Sequence, residues 1–369
     1  MGADLIVKRF DVREFWVKVH LWLGLTLGVL GVLIGITGSI LVYDHEIDAW
    51  LNPQRYAVSG ARVALPYGEY LKRAARALEG RARPVNVRLP VEENMPVVVL
   101  ARERESPGFY RLFLDPPTGR VLDAAPGGGF IGWVHRFHEN LTLREYMGRE
   151  IVGLVGFAML ISSLSGIYLW WPGRGRFREA LAFRPGIAPS RNLHYFFGFY
   201  GSLVLAMLSF TGIFLAYQDG GRAVVGVLAP VSAPPRNIQA SQTPRQGKQL
   251  NLEEAIDKAQ SLHPGAALAG FGLPAGPRGV YRVSFKGEGS AVPVNNTLVF
   301  IDPFSGEVLR RIDSSTRTAG DRFLVMQRLL HTGDALGAAG RAVIFVAGLL
   351  PMLFVVTGTK MWLRQRRRP

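Results

Sequence analysis

Four stretches of this chain are too long and too apolar for an ordinary water-facing surface. They run over about residues 19–43, 151–171, 193–217 and 342–363, each near the ~20 residues that cross ~30 Å of hydrocarbon at about 1.5 Å per residue. Inside lipid a segment must satisfy its own backbone N–H and C=O groups, so each block is expected to be a helix that spans a bilayer. The polar stretches between the blocks then fold outside the lipid.

The distribution of charge orients the spans. The chain carries a net +15, but its cations crowd the short segments beside the apolar blocks rather than a soluble face. Lys8, Arg9, Arg13 and Lys18 precede the first block; Arg174, Arg176, Arg178, Arg184 and Arg191 fill the loop after the second; Arg364, Arg366, Arg367 and Arg368 close the chain. By the positive-inside rule these segments are cytoplasmic. The expected layout is an N-terminal segment and first span over 1–45, an external domain over 46–148, a second span over 149–171 and a basic cytoplasmic loop over 172–192. A third span (193–217), a second external domain (218–338), and a fourth span with a basic cytoplasmic tail (339–369) follow. The expected partner of this charge is a lipid bilayer, not nucleic acid. The first apolar run is too long for a cleaved leader and lacks a small-residue cleavage site, so it is read as a retained span. There is no cysteine, so a bound metal must be held by His, Met or carboxylates.

The sequence is written twice. With an offset of 174, His20 falls on His194, Gly24 on Gly198, Thr37-Gly38 on Thr211-Gly212 and Tyr43 on Tyr217. With an offset of 192, Gly148-Arg149 falls on Gly340-Arg341, Gly166 on Gly358 and Trp170 on Trp362. The polar stretches repeat too: FLDPPTGRVL (113–122) matches FIDPFSGEVL (300–309), two strand-like runs around a Pro- and Gly-bearing turn. Each follows a short helical pattern, the second opened by the capping pair Asn251 and Glu254. The expected fold is an α-helical four-span membrane bundle built as an internal duplication, with two small α+β extracytoplasmic domains.

Seven histidines remain to be sorted. His20 and His194 open the first and third spans at the cytoplasmic edge, and His138 and His331 precede the second and fourth at the outer edge. The repeat pairs His20 with His194 and, within one residue, His138 with His331. Two neutral imidazoles at one depth on different helices are what a six-coordinate haem iron requires. Gly24, Gly31 and Gly38 lie within about 40° of His20 on one helical face, and Gly198, Gly201 and Gly212 lie likewise around His194. Such faces admit a porphyrin, and they equally serve plain helix packing. Ionisable groups in spans are rare and usually functional, which favours a functional role for these four; two haem b sites, a proton relay, another metal or a structural role are the readings, and the family resemblance described below weighs toward haem. His135 is the reserve outer ligand, His45 a weaker one, and His263 a surface residue. Arg149 and Arg341 are candidate clamps for haem propionates or markers of the headgroup boundary. Trp170, Trp171 and Trp362 fit an aromatic belt.

The ordered set VHLWLG…TG, LHYFFG…TG, HTGDALGAAGR…TG…MWL and the two D-P-x-[TS]-G-x-V-L turns resembles the PepSY-associated transmembrane family over nearly the whole chain. That resemblance implies a bacterial inner-membrane protein of iron uptake, and for some members a haem-containing oxidoreductase that reduces ferric siderophores outside the cell. The electron donor would be a partner, a quinol or a reduced flavin carrier, since the chain has no dinucleotide fingerprint; the glycine-rich APGGGFIG (125–132) does not match one and reads as a hinge into the second span. Two other classes compete. One is a non-enzymatic, membrane-tethered PepSY regulator of an outer peptidase or uptake component, which would be colourless. The other is a transporter, which would place polar breaks at mid-membrane.

Overall fold

The computed structural model of the chain describes residues 11–90, 92–172, 181–184, 186–235, 238–241, 249–287 and 297–367. Lys8, Arg9, Arg174, Arg176, Arg178 and Arg368 lie outside the described residues. The chain divides into two compact units, one of helices (1–43, 134–223, 326–369) and one built on a sheet (44–133, 224–325).

In the helical unit, α1 (Val12–Thr26) starts on Asp11, whose carboxylate accepts from the backbone N–H of Arg13 at 2.8 Å and of Glu14 at 3.2 Å. The apolar run continues as α2 (Gly28–Val42), but the two helices are bent by 61°. Gly24 and Gly28 weaken the ladder here, and Thr26 turns its hydroxyl onto the Trp22 carbonyl at 2.7 Å. The first span expected at about 19–43 is therefore two helices joined at a bend, and the pair starts earlier, at Val12. Helix α6 (Gly148–Trp170) begins after Met147, and α7 (Pro189–Ala216) has proline at its first position, where no N–H is needed. Helix α11 (Gly337–Arg366) ends the chain's apolar segments. Among the described residues, three helices are long and apolar enough to cross a membrane, or four if the bent pair counts as one span.

These helices bury small and hydroxyl-bearing residues against one another and turn large apolar ones outward. Ser39, Ser165, Thr211 and Thr357 are at most 4% exposed, whereas Leu203 is 63% exposed and Leu154 58%. That polarity is reversed relative to a water-soluble bundle and suits a lipid surround, where helices associate through close backbone packing. Gly35 shows how close: a Cβ there would lie 2.3 Å from the Gly348 carbonyl oxygen on α11. Nearby, Ser39 donates to the Phe345 carbonyl at 2.8 Å.

The second unit holds α3 (Asp44–Leu51), α4 (Tyr67–Ala77), β1 (Ala82–Arg88), β2 (Val97–Glu103), β3 (Phe109–Leu114) and β4 (Val121–Pro126). Helix α8 (Gln218–Leu228), α9 (Leu252–Ser261), β5 (Leu268–Gly272), β6 (Tyr281–Phe285), β7 (Thr297–Ile301) and β8 (Val308–Ile312) repeat that order. The two polar stretches do not stand as separate sheets facing each other. They join edge to edge through antiparallel β1 and β5 into one eight-stranded sheet, ordered β4-β3-β2-β1-β5-β6-β7-β8. Each half would otherwise expose an unpaired inner edge strand, and the joint removes both edges.

One face of the sheet is core. Leu112, Val99, Val87, Phe271, Val283 and Val299 run side by side across six strands and are at most 1% exposed. They pack under Tyr70, Ala74 and Leu78 at α4 and Ala255, Ile256 and Ala259 of α9. Asn251 and Glu254 form the expected reciprocal cap of α9. The two repeated turns depend on glycine: Gly119 and Gly306 take φ of +64° and +68°, which a side chain disfavours. Asp115 and Asp302 close them. Burial alone would raise the Asp115 carboxyl, but hydrogen bonds from Thr118 and Ser59 outweigh it and hold it below the usual carboxylate range. The hinge expected at 125–132 is a tight turn, with Gly127, Gly128 and Gly129 all at positive φ. It delivers the chain into α5 (Gly129–Asn140), and α10 (Ala319–Thr332) is its repeat counterpart.

Candidate functional site

The helical unit brings four of the seven histidines together as two pairs. His20 of α1 and His194 of α7 have ring centroids 6.3 Å apart, with ring planes at 83°. His138 of α5 and His331 of α10 have centroids 6.2 Å apart, with planes at 53°. The pairs lie toward opposite ends of α7, since the residue that holds His331 is Thr211, 17 positions or about 26 Å along the helix from His194.

Each imidazole is held the same way. His20 Nδ1 meets Ser165 Oγ at 3.0 Å, His194 Nδ1 meets Thr357 Oγ1 at 2.8 Å, and His331 Nδ1 meets Thr211 Oγ1 at 2.9 Å. His138 Nδ1 meets the Ile34 carbonyl at 2.9 Å and Thr37 Oγ1 at 3.3 Å. A hydroxyl has one proton, and in every case a backbone carbonyl of the hydroxyl's own helix lies within reach of it. Ser165 donates to Ser162 O at 3.1 Å, Thr357 to Leu353 O at 2.7 Å, Thr211 to Met207 O at 2.9 Å, and Thr37 to Leu33 O at 2.7 Å. A hydroxyl that donates to its own helix accepts from the imidazole, an assignment in which Nδ1 carries the ring proton and Nε2 keeps its lone pair; for His138 the Ile34 carbonyl, which can only accept, makes the same assignment. This is the tautomer a metal-ligating histidine needs, fixed by a partner outside the ligand shell.

The residue after each hydroxyl is glycine, and it makes room for the ring. A Cβ at Gly38 would lie 2.9 Å from His138 Cε1, at Gly212 3.2 Å from His331 Cε1, at Gly166 3.3 Å from His20 Cε1, and at Gly358 3.5 Å from His194 Cε1. A [ST]-G dipeptide therefore occurs once per histidine, at 37–38, 165–166, 211–212 and 357–358. The repeat exposes these dipeptides in the sequence, but their service to the histidines appears only when helices are neighbours. Gly38 and Gly212, read from sequence as slots around His20 and His194, instead seat the rings of the other pair. Gly24 and Gly198, one turn beyond His20 and His194, do flank open space: a Cβ at either would meet nothing within 4 Å.

The other candidates fall elsewhere. His135 pairs with Glu139 through Nε2 at 3.3 Å, both about half exposed, and stays outside the ring pair. His45 is exposed on α3. The His263 ring lies against Phe285 at 5.3 Å, and its Nε2 is buried with no hydrogen-bond partner among the described residues. Arg149 Nη2 donates to the Leu215 carbonyl at 3.2 Å. Arg341 reaches the Val42 carbonyl through Nε at 3.0 Å and Nη2 at 2.6 Å, and sits 4.8 Å over the Tyr43 ring. Both guanidiniums thus meet carbonyls at helix C-termini, where cations complement the helix dipole. Trp170 stacks on Phe199 at 4.1 Å, and Trp171 is 58% exposed.

A family model described as the PepSY-associated TM region matches residues 17–365. The chain belongs to that family. No curated protein matches it.

Whether the paired histidines of this PepSY-associated transmembrane protein fit a haem is a question of ligand count and spacing. Among the described residues no group of three or more His, Cys, Asp or Glu side chains gathers to hold a metal ion, as a structural zinc site with four protein ligands would require. Haem iron asks the protein only for axial ligands. A metal–imidazole bond of about 2.0 Å plus about 1.15 Å from nitrogen to ring centre, doubled across the metal, gives about 6.3 Å. The observed 6.3 Å and 6.2 Å match, so the residues present fit the group.

Proposed function

We propose that this protein is a di-haem oxidoreductase of the bacterial inner membrane that passes electrons outward to a ferric siderophore. In this reading the duplicated halves form a four-span bundle, with both termini and the basic 172–192 loop cytoplasmic and the sheet unit periplasmic. The basic residues beside the spans support that orientation. The family match supports membrane placement, and the siderophore rests on the family resemblance.

The observation that carries the reading is the pair of imidazole couples at 6.3 Å and 6.2 Å, each ring held through Nδ1. His20 and His194 would hold one haem b, His138 and His331 the other. When bound, haem supplies one-electron redox chemistry without an open coordination site. The chain's own groups do the rest. The hydroxyls of Ser165, Thr357, Thr211 and Thr37 keep Nε2 deprotonated and raise its basicity. The glycines beside them set the ring position, and the surrounding apolar helices exclude water. The donor would be a quinol or a reduced flavin carrier. One electron from that donor would reduce a ferric chelate to the ferrous state, whose lower positive charge weakens hard-oxygen ligation and frees iron.

The test is the visible spectrum of the purified protein before and after dithionite, with a pyridine hemochrome count. Two b-type haems per chain are expected, falling to one in His20→Ala or His194→Ala and to the other in His138→Ala or His331→Ala. A folded, colourless preparation would exclude the reading and favour a non-enzymatic PepSY regulator.

A further inference from the structure

We propose that Phe354 is a positioning residue: its ring holds the imidazole of His194 nearly perpendicular to that of His20, which makes the haem of this pair electronically distinct from the haem of His138 and His331. The proposal rests on the haem reading of the two pairs.

A histidine rotamer leaves the ring plane loosely set, because the torsion that turns an imidazole is broad. A hydrogen bond through Nδ1 anchors one atom of the ring and leaves rotation about that bond. His194 receives more than this from α11. Phe354, Thr357 and Gly358 stand at i, i+3 and i+4, so they share one face of the helix. Thr357 Oγ1 meets Nδ1 at 2.8 Å. Gly358 lets Cε1 approach the backbone, where an added Cβ would lie 3.5 Å away. Phe354 meets the imidazole with ring centroids 5.4 Å apart and planes at 67°, the edge-to-face arrangement that aromatic pairs favour. Its Cζ also reaches α7, where a Cβ added at Gly201 would touch it at 3.7 Å. The phenyl ring is thus placed by two helices, and the imidazole plane is placed against it.

The internal repeat shows that this contact is particular to one histidine. One turn before each [ST]-G dipeptide stand Ile34, Ser162, Leu208 and Phe354. Phe354 alone of the four carries a ring, and an offset of 192 puts Ser162 in its place beside the dipeptide that serves His20. The pair that Phe354 touches has its planes at 83°. The pair served by Ile34 and Leu208 has them at 53°.

Ring orientation is one of the properties that partners outside the ligand shell impose on a bound metal. In a low-spin ferric haem the unpaired electron is shared between two iron orbitals that meet the imidazoles in π fashion. Parallel imidazoles act on the same orbital and split the two in energy. Perpendicular imidazoles act one on each and leave them close together, which appears as a strongly anisotropic electron paramagnetic resonance signal with a large gmax. The 83° pair should give that signal, and the 53° pair a smaller gmax.

The experiment records low-temperature spectra of the oxidised full chain in detergent micelles, with a pyridine hemochrome count and circular dichroism on each preparation. Wild type should show two low-spin signals, and His138→Ala, which keeps only the haem of the other pair, should retain the one of larger gmax. Phe354→Leu and Phe354→Met keep an apolar side chain of similar size and lose the flat ring. In both, the larger gmax should shift down while the second signal stays in place and both haems remain. An unshifted gmax in both variants, with both haems present, overturns the role of Phe354 and leaves the reductase reading standing. Loss of that haem from both variants makes Phe354 a packing residue of the site and also overturns the proposal. A folded wild-type protein without haem removes the reductase reading and this proposal together.

Discussion

Thr357→Val removes one hydrogen bond from one proposed haem site and almost nothing else. Valine has the shape of threonine, so the 3% exposed position gains no cavity, and Leu353 loses only a side-chain donor at 2.7 Å. What changes is His194: its Nδ1–H loses the acceptor at 2.8 Å, which frees the tautomer and lowers the basicity of Nε2. Loss of such an outer partner costs about 10–100-fold in metal affinity, or about 1.4–2.7 kcal/mol at 1.4 kcal/mol per tenfold. The weaker imidazole disfavours the ferric state more than the ferrous. Each tenfold of that bias moves the midpoint potential positive by about 59 mV for one electron. The assay is a redox titration of both haems, together with the rate of haem transfer to apomyoglobin. One haem should shift and leave faster, the other stay, and Thr357→Ser should restore both values. Unchanged potentials and transfer rates in Thr357→Val would refute the role of the hydroxyl.

Three further outcomes are expected. Gly38→Ala would put a Cβ 2.9 Å from His138 Cε1, so the hemochrome count should drop by the haem of the His138–His331 pair, whereas Gly24→Ala, with nothing within 4 Å, should fold without a clash. Arg55→Ala leaves the buried Asp48, otherwise 2.6 Å from the guanidinium, without its cation, which should cost the sheet unit about 3–5 kcal/mol in urea unfolding followed by circular dichroism. Asp115, Asp302, Asp313 and Asp321 are pushed up by burial but held below the usual range by stronger hydrogen bonds, chiefly from neighbouring hydroxyls and backbone N–H groups. A depressed carboxylate stabilises the fold above its unfolded pKa near 3.9, and that stability is lost as pH falls through the folded value. The urea midpoint of the sheet unit should hold between pH 5 and 7 on this account and decline below about pH 4.

The apolar blocks, the basic segments beside them, the duplicated motifs and the histidine pairing are all properties of composition and spacing. They were readable because lipid thickness and repeat register act along the chain. The bend at Leu27 was hidden, since a glycine and a back-bonding threonine only weaken a helix and its neighbours decide whether it bends. The joining of β1 to β5 was hidden as well, because edge pairing is a choice between two halves that each look self-sufficient in sequence. The largest gap concerned the [ST]-G dipeptides. Their repetition marked them as equivalent, yet Ser165 lies 145 positions from His20 and Thr357 lies 163 from His194, and no local pattern connects such pairs. Sequence thus determined which imidazoles belong together; only packing decided which nitrogen of each is free to bind, because a tautomer is set by whatever atom the fold brings against the other side of the ring.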